Sequence, residues 1–232
     1  MIILRRSAER QHVRRRGQDT WRTFDAESST DPLRKGFRTL ECFNEEGLAP
    51  GVGSLLHSQK DIEILTYVSE GTLVHEDASG RSSVIEVGEC RRASAASGTT
   101  NRAFNRSPKG NTHAFQCCII PDRDNIQFRA EQRRFPMAER RGILRLLASP
   151  DGKGDSLRIH QDIRVYSSIL DPGHHLVHEL APSRAAWLHV VNGGIRLVDQ
   201  QLRAGDGASL VDETAVSLTA QEPSEILLFD LA

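Results

Sequence analysis

A histidine, an amide and a carboxylate are spaced along the stretch PGVGSLLHSQKDIEI, which runs from Pro50 to Ile64. His57 and Gln59 are two positions apart, so an alternating strand would direct both side chains to one side. Glu63 lies a further even step along and would also point inward, although about 20 Å from His57 on a straight strand. Imidazole and carboxylate groups bind transition metals, so a metal site built from His57 and Glu63 is one alternative. A polar pocket without metal is the other.

The second half of the chain carries more histidines, in the stretch GHHLVHEL. On a strand, His174 and His178 share one face, while His175 and Glu179 share the other. Two histidines four positions apart on a strand are separated by about 13 Å, too far for one shared ion. A second metal cup completed by His189 stays open as an alternative, but exposed or hydrogen-bonded core histidines are expected.

The four cysteines, Cys42, Cys90, Cys117 and Cys118, form no CxxC pair, which argues against a zinc knuckle or a thioredoxin-type motif. In a reducing compartment all four are expected to be thiols. Cys117 and Cys118 are adjacent in a predicted strand, so one of them should face a barrel interior as a buried thiol. Both are also redox candidates. Cys90 is the first choice for a reactive thiol, because two arginines follow it and would favour its thiolate.

The secondary-structure elements that must position these residues are predicted to be mostly β-strands. Short runs rich in valine, isoleucine, leucine and aromatic residues are bounded by turn-forming residues, which is typical of antiparallel strands joined by turns. Examples are SVIEVGE, HAFQCCII, AWLHVVNGGIRLV and EILLFDL. The charged segment 130–148 interrupts the pattern and is interpreted as the join between two β domains, residues 1–135 and 136–232. Many short strands with regular turns predict sandwiches or barrels.

A weak internal sequence repeat indicates two copies of one unit. The first half has a Pro-Gly turn, a strand ending in SEG at 69–71, and VGEC at 87–90. The second half has a Pro-Gly turn, a strand ending in VNGG, and AGDGASL at 204–210. This repeat favours two domains of the same kind.

Composition and charge exclude several classes of function. Apolar residues make up 38% and charged residues 26% of the 232 residues, as in an ordinary globular protein. The 30 basic and 31 acidic residues give a formal net charge of −1, which provides no long-range field for nucleic acid or an anionic membrane. No apolar run approaches the roughly 18–20 residues of a spanning helix. A cytoplasmic protein without nucleic-acid or membrane partners is expected.

Ordered motifs from Trp21 to Phe128 resemble the pirin family, whose members are bicupins. The motifs are WRTFDAE, GFRTLECFNEEGLAPG, HSQKDIEILTYVSEGTLVHEDASG, IEVGECRRASA and FQCCIIP. The second half, with LLASPDG, GDGASLVDETAVSL and LLFDLA, looks like the C-terminal cupin of the quercetinase-type pirin-like proteins, in the metal-poor YhaK-like branch. The resemblance implies an all-β fold of two tandem double-stranded β-helix barrels. An N-terminal strand that crosses to the second barrel is expected.

The resemblance also implies a ligand set: family members with metal use two histidines of an HPH segment plus the histidine and glutamate of an HSE segment. In this chain the corresponding positions are His57, Gln59, Asn101 and Ala103, so three of four ligands are changed. One imidazole, two amides and a methyl group carry no negative charge to offset a divalent cation, so tight metal binding is not expected. Together with Glu63, these residues are the predicted ligand pocket.

Two classes of function follow. The favoured hypothesis is a pirin-like bicupin with a degenerate metal site, which binds a small molecule or responds to oxidation or stress through a thiol rather than catalysing a reaction. It implies no cofactor and a small-molecule ligand, in a monomer or weak dimer. The alternative is a quercetin 2,3-dioxygenase-like oxygenase with iron, nickel, copper or manganese in a rebuilt site. A polar network that only fills the barrel mouth, and a transcription cofactor that binds proteins, also stay open.

Overall fold

A computed structural model describes residues 1–25, 35–55, 61–76, 80–95, 102–123 and 126–232 of the chain. Their contacts divide the chain into two units. The first unit comprises Gln11–Arg134 and Ile159–Gln161. The second unit comprises Met1–Arg10, which contains strand β1 (Ile2–Arg5), together with Phe135–Arg158 and Asp162–Ala232. This division departs from the expected ranges 1–135 and 136–232 at the first ten residues and at Ile159–Gln161.

Two antiparallel sheets make up the first unit. Its strands are β2 (Gln11–Arg15), β3 (Gln18–Asp25), β4 (Leu40–Leu48), β5 (Gly53–Leu55), β6 (Ile62–Glu70), β7 (Thr72–Glu76), β8 (Ser82–Glu86), β9 (Glu89–Ala95), β10 (Arg102–Phe104), β11 (Thr112–Ile119) and β12 (Ala130–Arg134). The large sheet has the order β12-β9-β6-β11-β4-β3-β2, and the small sheet has the order β5-β10-β7-β8.

The second unit repeats this plan. Its remaining strands are β13 (Arg145–Ser149), β14 (Leu157–Arg158), β15 (Ile163–Leu170), β16 (His175–Glu179), β17 (Ala185–Asn192), β18 (Gly194–Leu197), β19 (Gln200–Arg203), β20 (Gly207–Leu210), β21 (Ala215–Ala220) and β22 (Ser224–Leu231). The large sheet has the order β1-β20-β17-β22-β15-β13-β14, and the small sheet has the order β16-β21-β18-β19. The N-terminal strand pairs with β20, so the expected crossing to the second barrel is present.

Helical structure among the described residues is limited to short pieces. They are the four-residue α-helix Met137–Arg140 and single turns of 3₁₀-helix at Ser7–Glu9 and Lys153–Asp155. None of the helices in these ranges has the length and apolar character that a membrane span requires. The segment that was expected to join the two domains therefore supplies one helical turn between strands.

Apolar clusters show that the two sheets of each unit face each other. In the first unit, one cluster combines Leu48, Val68 and Ala114 of the large sheet with Leu73, Ile85 and Ala103 of the small sheet. In the second unit, a single cluster of sixteen buried residues includes members of both sheets. Burial of apolar side chains between two sheets is the main stabilising term of such a barrel. The predicted all-β fold with tandem barrels is confirmed.

Two glycines explain part of the sequence repeat between the two halves of the chain. Gly71 follows β6 with a φ of +71°, and Gly193 separates β17 from β18 with a φ of +77°. A Cβ at either position would lie 2.2 Å from a backbone oxygen, that of Asn111 or Pro223. Only glycine combines this left-handed backbone with such a close approach. The SEG and VNGG turns therefore close equivalent hairpins.

Candidate functional site

Part of the predicted ligand pocket can be located in the structure. His57, Gln59 and Asn101 lie outside the described residues. Ala103 lies on β10 and pairs with His75 on β7. Its methyl group is fully buried in the apolar cluster that joins the two sheets. The position at which the pirin resemblance led us to expect a carboxylate ligand in metal-binding members is therefore packed as apolar core.

Glu63 lies on the other face of the large sheet. Its neighbour Ile64 packs on the inner face, and successive residues of a strand point to opposite sides. Glu63 Oε2 accepts a hydrogen bond from the backbone N–H of His160 at 2.6 Å, and Oε1 lies 2.9 Å from His160 Nδ1. This corrects the expectation that Glu63 points into the barrel. Strands β5 and β6 belong to different sheets, so counting positions from His57 does not follow one strand.

A buried arginine completes the surroundings of Glu63. Arg92 on β9 is 1% exposed, and its Nη1 lies 3.5 Å from Glu63 Oε1 while Nη2 lies 3.4 Å from Glu131 Oε1. Ser94 Oγ accepts a hydrogen bond from Arg92 Nη1 at 2.6 Å and donates one to Glu63 Oε1 at 3.4 Å. A buried carboxylate with these partners has its charge offset within the protein. The arrangement assigns Glu63 a structural role.

A line of polar side chains crosses the inner face of the large sheet in the first unit. The strand register pairs neighbours in the order Arg22, Asn44, Gln116, Thr66 and Arg91, which together we call the polar row. Gln116, Thr66 and Arg91 are 5%, 2% and 7% exposed. Residues directly opposite on paired strands share a face, so this row looks towards the small sheet. The sequence did not predict it, because the row exists only where the strand register aligns one residue from each of five strands.

Two more buried ionisable residues face the same interior. His75 is 4% exposed and shares a face with Ala103, with which it pairs. Glu46 is 5% exposed and lies two positions from Asn44 on β4, so it also faces inward. The only sequence signal for either was a charged or polar residue within an apolar strand. The interior of the first barrel therefore combines apolar clusters with hydrogen-bonding groups.

The cysteines differ from the expectation of four thiols. Cys42 and Cys118 form a disulfide between the paired strands β4 and β11. Both sulfur atoms lie on the inner face, in a cluster with Ile62 and Ile64. Cys118 is therefore not a free redox thiol. The pairing was not visible in the sequence because 76 positions separate the two residues.

The two free cysteines are not activated. Cys90 and Cys117 are 0% and 2% exposed. Burial raises the pKa of both thiols; at Cys90 a hydrogen bond from the Arg91 backbone opposes the rise only weakly. The neighbouring arginines do not favour a thiolate, since Arg92 pairs with Glu63 and Arg91 lies on the other face of β9. The choice of Cys90 as a reactive thiol is therefore corrected.

The histidines of the second unit are dispersed. Strand β16 exposes His175 and Glu179 and turns His178 inward, as the alternation predicted. His189 is fully buried on β17. Within the described ranges, no three His, Cys, Asp or Glu side chains come together as a metal site. The histidines expected near a second metal cup do not form such a group in these ranges.

His178 belongs to a buried ion cluster at one end of the second barrel. Its Nε2 lies 2.9 Å from Asp230 Oδ2, and Arg184 Nε donates a hydrogen bond to Asp230 Oδ1. Burial alone would raise the pKa of Asp230, but the hydrogen bonds from His178 and Arg184 outweigh it and hold the pKa below its ordinary value of 3.8. Both carboxylate oxygens therefore have cationic or polar partners.

A transition metal does not fit the described part of the first barrel. Ala103 offers no donor atom, and Glu63 lies on the wrong face with its oxygens already bonded. His75 and Glu46 are inward-facing residues with metal-binding side-chain atoms, and they occupy different sheets. Amide oxygens at Gln59 and Asn101 would be weak ligands and would leave a divalent cation without an anionic partner.

Comparison with known proteins identifies the family. A family model described as Pirin matches residues 6–119, and one described as Quercetinase C-terminal cupin domain matches residues 146–231. A curated quercetin 2,3-dioxygenase of Escherichia coli (strain K12) is 37% identical over 231 residues, which is 100% of this chain and 99% of that protein. The chain belongs to the pirin family. Together with the two barrels, the two matched models confirm that this pirin is a bicupin.

Two solved structures of relatives are similar to this chain, and one of them contains nickel(II). The bacterial pirin YhhW of Escherichia coli, solved in complex with nickel(II), is 37% identical with a TM-score of 0.91, covering 100% of this chain and 99% of that one. The YhaK protein of Escherichia coli is 27% identical with a TM-score of 0.74, covering 92% and 93%. By both measures, this pirin is more similar to YhhW than to YhaK.

Proposed function

We propose that this pirin binds a small polar organic molecule inside its first barrel without a transition metal, and that it does not catalyse oxygenation. The observation that carries the proposal is the burial of Ala103 in an apolar cluster. In metal-binding pirins the corresponding residue is expected to supply the carboxylate ligand. A methyl group supplies no donor atom, and the leucine, isoleucine and valine side chains packed against it supply no carboxylate in its place.

The fate of Glu63 supports the same proposal. Glu63 was the carboxylate predicted from the sequence as the alternative metal ligand beside His57. Its hydrogen bonds to His160 and its ion pair with Arg92 occupy it on the outer face of the sheet. Moving it to the interior would leave the buried Arg92 without one of its two carboxylate partners, which is unfavourable.

Buried thiols do not support a response to oxidation through Cys90 or Cys117. Oxidation and disulfide exchange proceed from the thiolate and require access. Both thiols are buried with raised pKa values. Ligand binding is therefore the part of the hypothesis that we retain.

Elemental analysis of the purified protein tests this proposal. The protein and YhhW are purified in parallel without chelators, and iron, nickel, copper and manganese are measured by mass spectrometry. We expect metal far below one equivalent in this pirin. A value near one equivalent that disappears in the His57→Ala variant would refute the proposal, whereas metal that persists in this variant would be surface contamination.

A metal-dependent oxygenase is the second candidate, favoured by the curated relative named quercetin 2,3-dioxygenase that matches the whole chain. It predicts oxygen uptake when the nickel-loaded protein is mixed with quercetin. Our proposal predicts uptake no faster than in a protein-free mixture containing the same nickel concentration. Uptake that requires the protein and His57 would establish the oxygenase instead.

A further inference from the structure

The polar row gives the first barrel a hydrogen-bonding surface where an apolar core would otherwise lie. On one side along the strands it is bordered by Ile64 and the disulfide of Cys42 and Cys118. On the other side it is bordered by Val68 and Ala114. Burying amide groups beside these apolar side chains costs free energy unless each polar atom finds a partner. The row therefore needs an explanation beyond packing.

Two residues of the polar row each have a side-chain atom that lacks such a partner. Gln116 and Asn44 lie directly opposite each other on β11 and β4. Among the residues that the structure describes, Gln116 Nε2 and Asn44 Oδ1 are buried and make no hydrogen bond. Gln116 as a whole is only 5% exposed, so bulk water does not satisfy its amide. Two residues that are directly paired across the sheet thus contribute an unused donor and an unused acceptor to the inner face.

The remaining members of the polar row define its ends. Arg91 and Arg22 lie at opposite ends of the row, on β9 and β3. Thr66 lies between Gln116 and Arg91 and adds a hydroxyl group. The centre of the row therefore presents neutral amides, with positive charge only at its two ends. This pattern favours a ligand whose recognised group is neutral.

We propose that Gln116 and Asn44 bind the amide edge of a lactam-type small molecule. The ligand carbonyl would accept a hydrogen bond from Gln116 Nε2, and its adjacent N–H would donate one to Asn44 Oδ1. An ionised carboxylate suits the pair less well, because its second oxygen would oppose the acceptor Oδ1. The inference rests on the proposed function, since it assumes an interior without a resident metal.

Pyrrolidinone is a suitable probe, because its ring holds the carbonyl and the N–H on one edge. N-methylpyrrolidinone is the matched control, because it keeps the carbonyl and lacks the N–H. Titration of the intact protein, followed by ligand-observed nuclear magnetic resonance, should give saturable binding of pyrrolidinone. Binding of N-methylpyrrolidinone should be weaker by about ten-fold or more, since a buried acceptor is left unpaired.

Variants connect this binding to the two amides. Gln116→Leu should weaken pyrrolidinone binding by about ten-fold. Asn44→Leu should remove the preference for pyrrolidinone over its N-methyl derivative. Gln200→Leu is the control, because Gln200 is exposed on β19 of the second unit. Circular dichroism establishes that each variant is folded.

Each outcome decides the inference. Equal binding of the two probes by the wild type, or unchanged binding by a folded Gln116→Leu protein, would overturn it. A crystal structure in saturating pyrrolidinone that shows only water between the two amides would also overturn it. Metal analysis of the same sample separates the two claims. Stoichiometric metal would refute the proposed function, whereas a metal-free protein that fails to distinguish the probes would refute only the lactam site.

Discussion

The two barrels share one strand order, but their interiors are built from different side chains. Across β9, β6, β11 and β4, the first barrel carries the polar row. Across the corresponding strands β20, β17, β22 and β15, the second barrel pairs Ala208, Leu188, Leu228 and Tyr166. All four belong to its large apolar cluster or pack against it.

The charged group Asp230, which faces the second interior, lies at its end and is hydrogen-bonded. Asp230 has His178 and Arg184 on its two oxygens. Gln116 Nε2 and Asn44 Oδ1 in the first barrel have no such partner among the described residues. The same fold therefore has two kinds of interior. The second barrel is filled by apolar side chains, and the first barrel contains hydrogen-bonding atoms without a partner among the described residues. The difference predicts that only the first barrel binds a ligand.

The sharpest test of this comparison exchanges the equivalent residues of the two rows. Leu228→Gln should lower the free energy of unfolding by about 4 kcal/mol, because it removes a buried apolar side chain and buries an unpaired amide. Gln116→Leu should change it by less than about 1 kcal/mol, because an already unpaired amide is lost. Urea unfolding measures both variants. Similar decreases in the free energy of unfolding of the two variants would contradict the proposed difference between the two interiors.

Glu63→Gln tests whether this carboxylate is structural. Arg92 would lose an ion-pair partner in a fully buried position, so the free energy of unfolding should fall by about 3 kcal/mol. Glu179→Gln, at an exposed position of β16, should change it by less than about 0.5 kcal/mol. If Glu63→Gln kept wild-type stability but changed metal content, Glu63 would be a ligand and the first interior would resemble a metal cup.

Asp230→Asn tests the bonded end of the second barrel through pH. The pKa of Asp230 is lower in the folded protein than its ordinary value of 3.8. Its stabilising contribution is therefore present above that value and is lost as the pH falls through the folded-state pKa. The variant should lose about 2 kcal/mol at neutral pH. Urea unfolding at a series of pH values should show this deficit shrinking in acid; a constant deficit would contradict the assignment.

Thiol labelling gives the smallest effect on stability and checks the cysteines of the first unit. Without reductant, the native protein should not react, because Cys90 and Cys117 are buried with raised pKa values. Unfolding in urea should expose two thiols, and reduction should raise the count to the four cysteines of the sequence. Mass spectrometry counts the labels. Four labels without reductant would show that the disulfide beside the polar row is absent.

The sequence predicted the fold better than the site. Glycine turns and short apolar runs are local signals in the sequence. Gly71 and Gly193 show why such turns could be predicted, because each turn requires glycine for steric reasons. The faces of His175 and His178 also followed from simple alternation. These features depend on neighbours in the chain.

The site depends on neighbours across the sheet, which a single sequence does not reveal. Glu63 was assigned to the interior by counting along one strand, whereas the chain changes sheets between β5 and β6. The contact of Gln116 with Asn44, and the disulfide of Cys42 with Cys118, both depend on the register of β11 against β4. Cys90 appeared reactive from adjacent arginines, although burial dominates its pKa.

The most direct test of the central claim is a calorimetric titration with nickel(II). It compares the metal-stripped wild type with a variant that restores the family's ligands through Gln59→His, Asn101→His and Ala103→Glu. We expect one nickel ion to bind the folded variant and no saturable binding to the wild type, because only the variant supplies three imidazoles and a carboxylate. Binding of one nickel ion to the wild type, abolished by His57→Ala, would contradict the account.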